Sequence, residues 1–433
     1  MARPVSLSCI LRCGPCWIRL GVGGIVVALL VACQGSQAPG STGLPTAAPK
    51  QVGLSASGLA RIDALVNQAI ADRIVPGTTV LVAKNGKVVY HKAFGHANLG
   101  VPMTTDTIFL MYSSSKIIVG IAVMQLVEQG RLRLDDPVSQ YLPEFAHPQV
   151  KVKLPPGSPT PYRLEPARSL ITVRQLLSMT SGIVGYWDED FIPAGVDIGA
   201  GDPDFDLAEN TRRLATVPLL FHPGTEFGYG LSTDVAGRVV EVVSGLSLAD
   251  YYQRHIFGPL GMRDSFFYPP TDKIGRTSVS WESDGQRLTG KVSPHAHRNR
   301  KLYSAGVGVY STTADYFRLG QMLLNGGEYG GVRILKPESV QEIHTNQVGD
   351  LPGVDKFHFF QQGYERYGLG CFLNGKGSFR DPGSVSVLGL GGKNLDLNFD
   401  RNLLIVVLQT VLPPKPAWEI SEQISRLVYQ ALE

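Results

Sequence analysis

Ser113 and Lys116, in the segment "MYSSSKIIVG" (111–120), are spaced so that on one helical turn the hydroxyl and the amine meet. A serine hydroxyl is a poor nucleophile at neutral pH unless a base takes its proton. A lysine stripped of water near the positive end of a helix can lose its own proton and become that base. The apolar run after Lys116 predicts such burial, and a buried lysine is costly unless something uses it. Ser-x-x-Lys also arises by chance in long chains, so a second proton carrier and an oxyanion hole have to be found elsewhere. Tyr229, in "HPGTEFGYGLSTDVAGRVVEVVSG" (222–245), stands in a turn just before a helix, where its phenol could reach the pair. The segment "LGLGGKNLDLNF" (388–399) reads as a Gly-rich strand whose small residues let backbone approach a substrate closely.

The elements that must hold these residues follow from periodicity. Residues 55–74 place Leu59, Ile62, Leu65, Val66, Ala69 and Ile70 at helical spacing. Two β-branched runs flank Asn85-Gly86, a hairpin signal. "VSVLGLGG", "DLNFD" and "NLLIVVLQT" predict further strands, and "AWEISEQISRLVYQALE" a closing helix. The fold expected is α+β: an antiparallel sheet built from both chain ends and flanked by helices, with a mostly helical insertion over roughly 125–300. "SKIIVGIAVMQLVEQG" is apolar almost all round and predicts a central buried helix whose first turn carries Ser113 and Lys116.

The chain has 433 residues, 43% of them hydrophobic, enough for a large core, and its net charge of +3 is scattered without a basic run. Nucleic-acid binding is not expected. His222, His295 and His297 lack partners at metal-ligand spacing, so the site is expected to need neither metal nor cofactor. At the N-terminus Arg3, Arg12 and Arg19 precede an apolar stretch, residues 20–33, with the makeup of a secretory signal. It ends in "LVAC", which resembles the bacterial lipobox and implies lipidation of Cys33 after cleavage. The expected organisation is therefore signal peptide 1–33, flexible tether 34–51 and catalytic domain 52–433, with a lipid-anchored protein facing the periplasm. Gly35 stands where an aspartate would direct inner-membrane retention, which points to the outer membrane in a Gram-negative host. Cys371 is the one thiol beyond the leader, so no internal disulfide is expected.

From about residue 54 the chain resembles the serine β-lactamase-like superfamily, which comprises class C β-lactamases, DD-peptidases and family VIII carboxylesterases. The resemblance rests on "VPGTTVLVAKNGKVVYHKAFG", "DTIFLMYSSSK", "LVEQGRLRLDDPVSQYLPEF", "ITVRQLLSMTSG" and "LSTDVAGRVVEVVSG", in that order. It implies that Ser113 is the acylated nucleophile, that Lys116 accepts its proton, and that Tyr229 shuttles protons. The backbone N–H groups of Ser113 and Lys393 would form the oxyanion hole, with Leu390, Gly391 and Gly392 as the third motif. Contact between Lys116 and Tyr229 is expected to lower the pKa of each, which leaves either as the formal base.

Two departures bear on substrate. Leu231 stands where the lactamases carry an asparagine, and Leu390 where a lysine, histidine or tryptophan precedes the paired glycines. A site without that cation has lost one way of holding the carboxylate of a lactam or peptide terminus. Lys393 is expected to point elsewhere in its strand. The aromatic-rich segments 184–195 and 356–368 are candidates to line an apolar acyl pocket. The expected activity is an acyl-serine carboxylesterase acting on a small-molecule ester or amide. The alternatives are a DD-peptidase, a weak β-lactamase, an acyltransferase, or a lipoprotein that binds such a ligand without turning it over.

Overall fold

The structure is a computed structural model that describes residues 43–433 apart from 184–190, 198–200, 202, 294–298 and 354–362. Helix α1 (Ala56–Ala71) leads into strands β1 (Gly77–Lys84), β2 (Lys87–Asn98) and β3 (Val101–Pro102), and then helix α2 (Lys116–Glu128). Later in the chain come α3 (Ser232–Ser244), β4 (Tyr364–Tyr367), β5 (Phe372–Asn374), β6 (Val385–Gly389), β7 (Lys393–Asn398), β8 (Leu403–Leu408) and α4 (Lys415–Gln430). The main sheet has eight strands in the order β4-β5-β6-β7-β8-β1-β2-β3, so the last strand of the sheet in sequence pairs antiparallel with the first and joins the two ends.

Asn85 and Gly86 both take positive φ, as a two-residue turn between right-twisted strands requires. In β8 every residue is apolar and buried, and in β1 every residue but Lys84 is buried, because both faces of the sheet are covered. Val80, Val82, Leu403, Ile405 and Val407 face the paired helices α1 and α4. The alternate residues Leu81, Ala83, Leu404, Val406 and Leu408 face the other way, toward the helix Thr313–Leu324. Lys116 to Leu126 are buried without interruption, so α2 is the central helix that its composition predicts.

Two boundaries differ from expectation. Residues 43–51, read as the end of a flexible tether, lie on the domain: Ala47 N–H donates to Val88 O, Val88 N–H to Pro45 O, and Leu44 is buried. Extended backbone beside β2 found carbonyl and amide partners that composition does not reveal. The insertion over 125–300 is mixed rather than mostly helical, since it carries the hairpin Gln149–Lys153 with Tyr162–Pro166 and the strand pair Ser280–Ser283 with Leu288–Ser293. Cys33 and the leader lie outside the described residues, as do His295, His297, 184–190 and 356–362.

Candidate active site

Ser113 sits in a single 3-10 turn, Tyr112–Ser115, that runs directly into α2, whose first residue is Lys116. In a 3-10 turn residues three apart eclipse one another, which stacks the amine over the hydroxyl more closely than an α-turn would. Lys116 Nζ lies 3.1 Å from Ser113 Oγ and donates to Gly306 O at 2.9 Å. The amine is 1% exposed, whereas Ser113 is only partly buried, so the nucleophile opens outward and its base does not. Tyr112, immediately before the nucleophile, is held at φ 48°, a left-handed conformation that costs a non-glycine residue about 1–3 kcal/mol and marks a built turn.

Tyr229 comes from the turn ahead of α3. Its hydroxyl hydrogen-bonds Ser113, and the Lys116 amine lies 4.9 Å from its ring centroid. Burial drives the lysine down to about 7, opposed by the negative charge of Asp234. Burial drives the Tyr229 phenol the other way, well above its ordinary value, and the bond to Ser113 counters this. The expected mutual lowering therefore holds in direction for Lys116 and fails for Tyr229, where desolvation outweighs the hydrogen bond. Near neutrality Lys116 is the group that can accept a proton, and Tyr229 stays protonated and can donate one.

The third motif is displaced from its expected place. At Gly389 the strand crosses the nucleophile's turn so closely that a Cβ would collide with Met111 O and lie 2.8 Å from Ser114 Oγ, so only glycine fits. Gly391 and Gly392 instead abut Thr410, Gln409 and Ala417. Lys393 is fully buried, donates from Nζ to Thr410 Oγ1 at 2.7 Å and stacks on the Tyr112 ring. The structure thus brings Ser113, Lys116 and Tyr229 together and places Gly389, which periodicity did not single out, on the nucleophile's turn. Leu390 packs with Tyr112 and Val307 on one flank of Ser113. On the other flank Tyr364, Tyr367, Phe372 and Leu388 pack around Tyr229, so the described end of the aromatic segment 356–368 is buried core that supports the phenol. Leu231 lies in the main core. His222 binds Glu165 Oε1 and accepts from Arg168 N–H, a structural pairing.

Trp418, on α4, joins this aromatic cluster and donates from Nε1 to Gly389 O at 3.1 Å. It gives no signal in the sequence, where it reads as one apolar position of an amphipathic helix.

A nucleophile on a strained turn, an amine beneath it whose hold on its proton is weakened by burial and a protonated phenol beside it can carry acyl transfer through serine. The beta-lactamase family profile matches residues 62–428, most of the chain. This chain belongs to the beta-lactamase family. It is an enzyme of that family's serine-hydrolase kind. Among its beta-lactamase-family relatives, the esterase EstB of Burkholderia gladioli is 41% identical over 227 residues, 51% of this chain and 54% of that protein, so the match spans about half of EstB's length. The lovastatin esterase of Penicillium rubens is 32% identical over 357 residues, covering 76% of this chain and 87% of that one. Among solved structures, EstCE1, described as a hydrolase with promiscuous acyltransferase activity, superposes with a TM-score of 0.72 at 25% identity, covering 87% of this chain and 98% of that one.

Proposed function

We propose that this enzyme is a carboxylesterase-type acyl hydrolase for neutral esters. The observation that carries the reading is the Ser113–Lys116–Tyr229 contact, set between apolar walls with the nearby Lys393 turned away. Ser113 Oγ attacks the ester carbonyl carbon as its proton passes to Lys116. The phenol of Tyr229 protonates the departing alkoxide and is reprotonated by the lysine. Water, deprotonated by Lys116, then attacks the acyl-serine; the bond to Ser113 Oγ breaks, Lys116 returns the proton to Oγ, and the acid leaves. The N–H of Ser113 would receive the oxyanion, with the end of β6 at Gly389 running beside it. Rates on p-nitrophenyl butyrate and on nitrocefin test this: ester turnover should dominate and vanish in Ser113→Ala. A nitrocefin rate equal to the ester rate would favour a lactamase or peptidase instead.

Acyl transfer to an alcohol is a second outcome of the same intermediate, favoured by the apolar walls, which give an alcohol an advantage over water, and by the description of EstCE1. The lipid-anchored, periplasmic location rests on Arg3, Arg12, Arg19 and the "LVAC" ending at Cys33. Cys33→Ser is expected to shift the enzyme from the membrane fraction to the soluble one or to leave an uncleaved precursor. Wild type recovered soluble and without lipid mass would refute the anchor.

A further inference from the structure

Asp234 is fully buried in the first turn of α3, and the acyl-transfer steps above make no use of it. Its carboxylate accepts from Ser304 Oγ at 2.9 Å and 3.0 Å and from Gly306 N–H at 2.8 Å. Gly306 is also the residue whose carbonyl holds Lys116 Nζ. A Cβ on Gly306 would lie 2.9 Å from Thr233 Oγ1, 3.3 Å from Asp234 Oδ1 and 3.4 Å from Lys116 Nζ, so carboxylate and amine converge on the same side of Gly306, with the Thr233 hydroxyl beside them. A buried carboxylate with three hydrogen-bond contacts is a costly construction. Here it is spent on the one turn that fixes the general base.

We propose that Asp234 is a positioning residue for the base: through Ser304 and Gly306 it fixes the turn that aims the Lys116 amine at Ser113, and its charge faces that amine on the same side of Gly306. This supplies from α3 the polar support that Leu231, an apolar residue, does not. The inference rests on the reading of Ser113 and Lys116 as nucleophile and base. The ionisable groups facing Asp234 are Lys116 from α2, Tyr252 from the helix Leu248–Tyr252 and Asp197 from the segment ahead of residue 198, with Tyr229 beyond the amine. Of these, Lys116 is the cation.

The test is the rate at which a fluorophosphonate labels Ser113 as a function of pH, which needs no knowledge of the natural substrate. Labelling should climb as Lys116 loses its proton. In Asp234→Asn, which keeps the shape but removes the charge that favours the protonated amine, the climb should move to lower pH by about one unit. In Ser304→Ala the climb should stay in place while the plateau falls several-fold, by about the effect of one lost buried hydrogen bond. A folded Asp234→Asn protein whose climb stays at the wild-type pH would overturn the electrostatic half of the proposal. An unchanged plateau in Ser304→Ala would overturn the positioning half, and this variant decides the matter if Asp234→Asn does not fold. Equal labelling of Ser113→Ala would instead remove the nucleophile itself, a distinct failure.

Discussion

At the scale of single residues, Lys116 is the group on which activity and stability pull in opposite directions. Its amine is neutral when useful, so kcat/KM on an ester should rise as pH passes upward through about 7 and level off above it. The same group shapes the stability curve. Its folded-state pKa lies far below the unfolded value, so between the two the unfolded chain binds the extra proton and stability increases with pH. The cost of burial is fully felt below the folded value and disappears above the unfolded one. Lys116→Met should therefore abolish esterase activity and gain melting temperature relative to wild type on going from about pH 10 to about pH 6. A melting-temperature difference that does not vary with pH would contradict the depressed value. Tyr229→Phe keeps the ring under the amine and removes only the donor, and a fall in kcat of about 100-fold or more is expected, with little change in stability.

At the scale of elements, the site is a crossing of the 3-10 turn into α2, the turn into α3 and the end of β6, with α4 closing over them. Gly389→Ala forces a methyl group into Met111 O and should cost about 1–3 kcal/mol while lowering kcat, measured together by denaturation and ester turnover. Trp418→Phe retains the ring but loses the bond to Gly389 O; a several-fold loss in kcat, consistent with about 1 kcal/mol, is expected with KM nearly unchanged. These two residues also show what sequence could not convey. Ser113 and Lys116 were legible because their contact depends only on a spacing of three, and Tyr229 because its turn precedes a recognisable helix. Gly389 and Trp418 act through contacts between distant segments. In a strand whose glycines cluster, periodicity does not say which one touches the nucleophile's turn. The pKa of Tyr229 was misread for a related reason: contact between two groups was foreseeable, but the depth at which both are buried was not.

At the scale of the whole molecule, pairing β8 with β1 makes the two ends of the domain one sheet, and α1 with α4 seals one face while the helix Thr313–Leu324 lies on the other. That plan was readable from β-branched runs at both ends around a helical middle. The hairpins inside the insertion and the packing of residues 43–51 were not, because short polar strands pair through backbone groups that any sequence offers. The architecture brings segments far apart in sequence to one serine, and its central claim is that this serine carries the acyl group. Mass spectrometry of enzyme quenched during turnover of p-nitrophenyl butyrate tests that claim directly. A mass increase equal to the butyryl group, located on the peptide containing Ser113 and absent from Ser113→Ala, is the predicted result. Undiminished ester turnover by Ser113→Ala, or the acyl group on another residue, would contradict it.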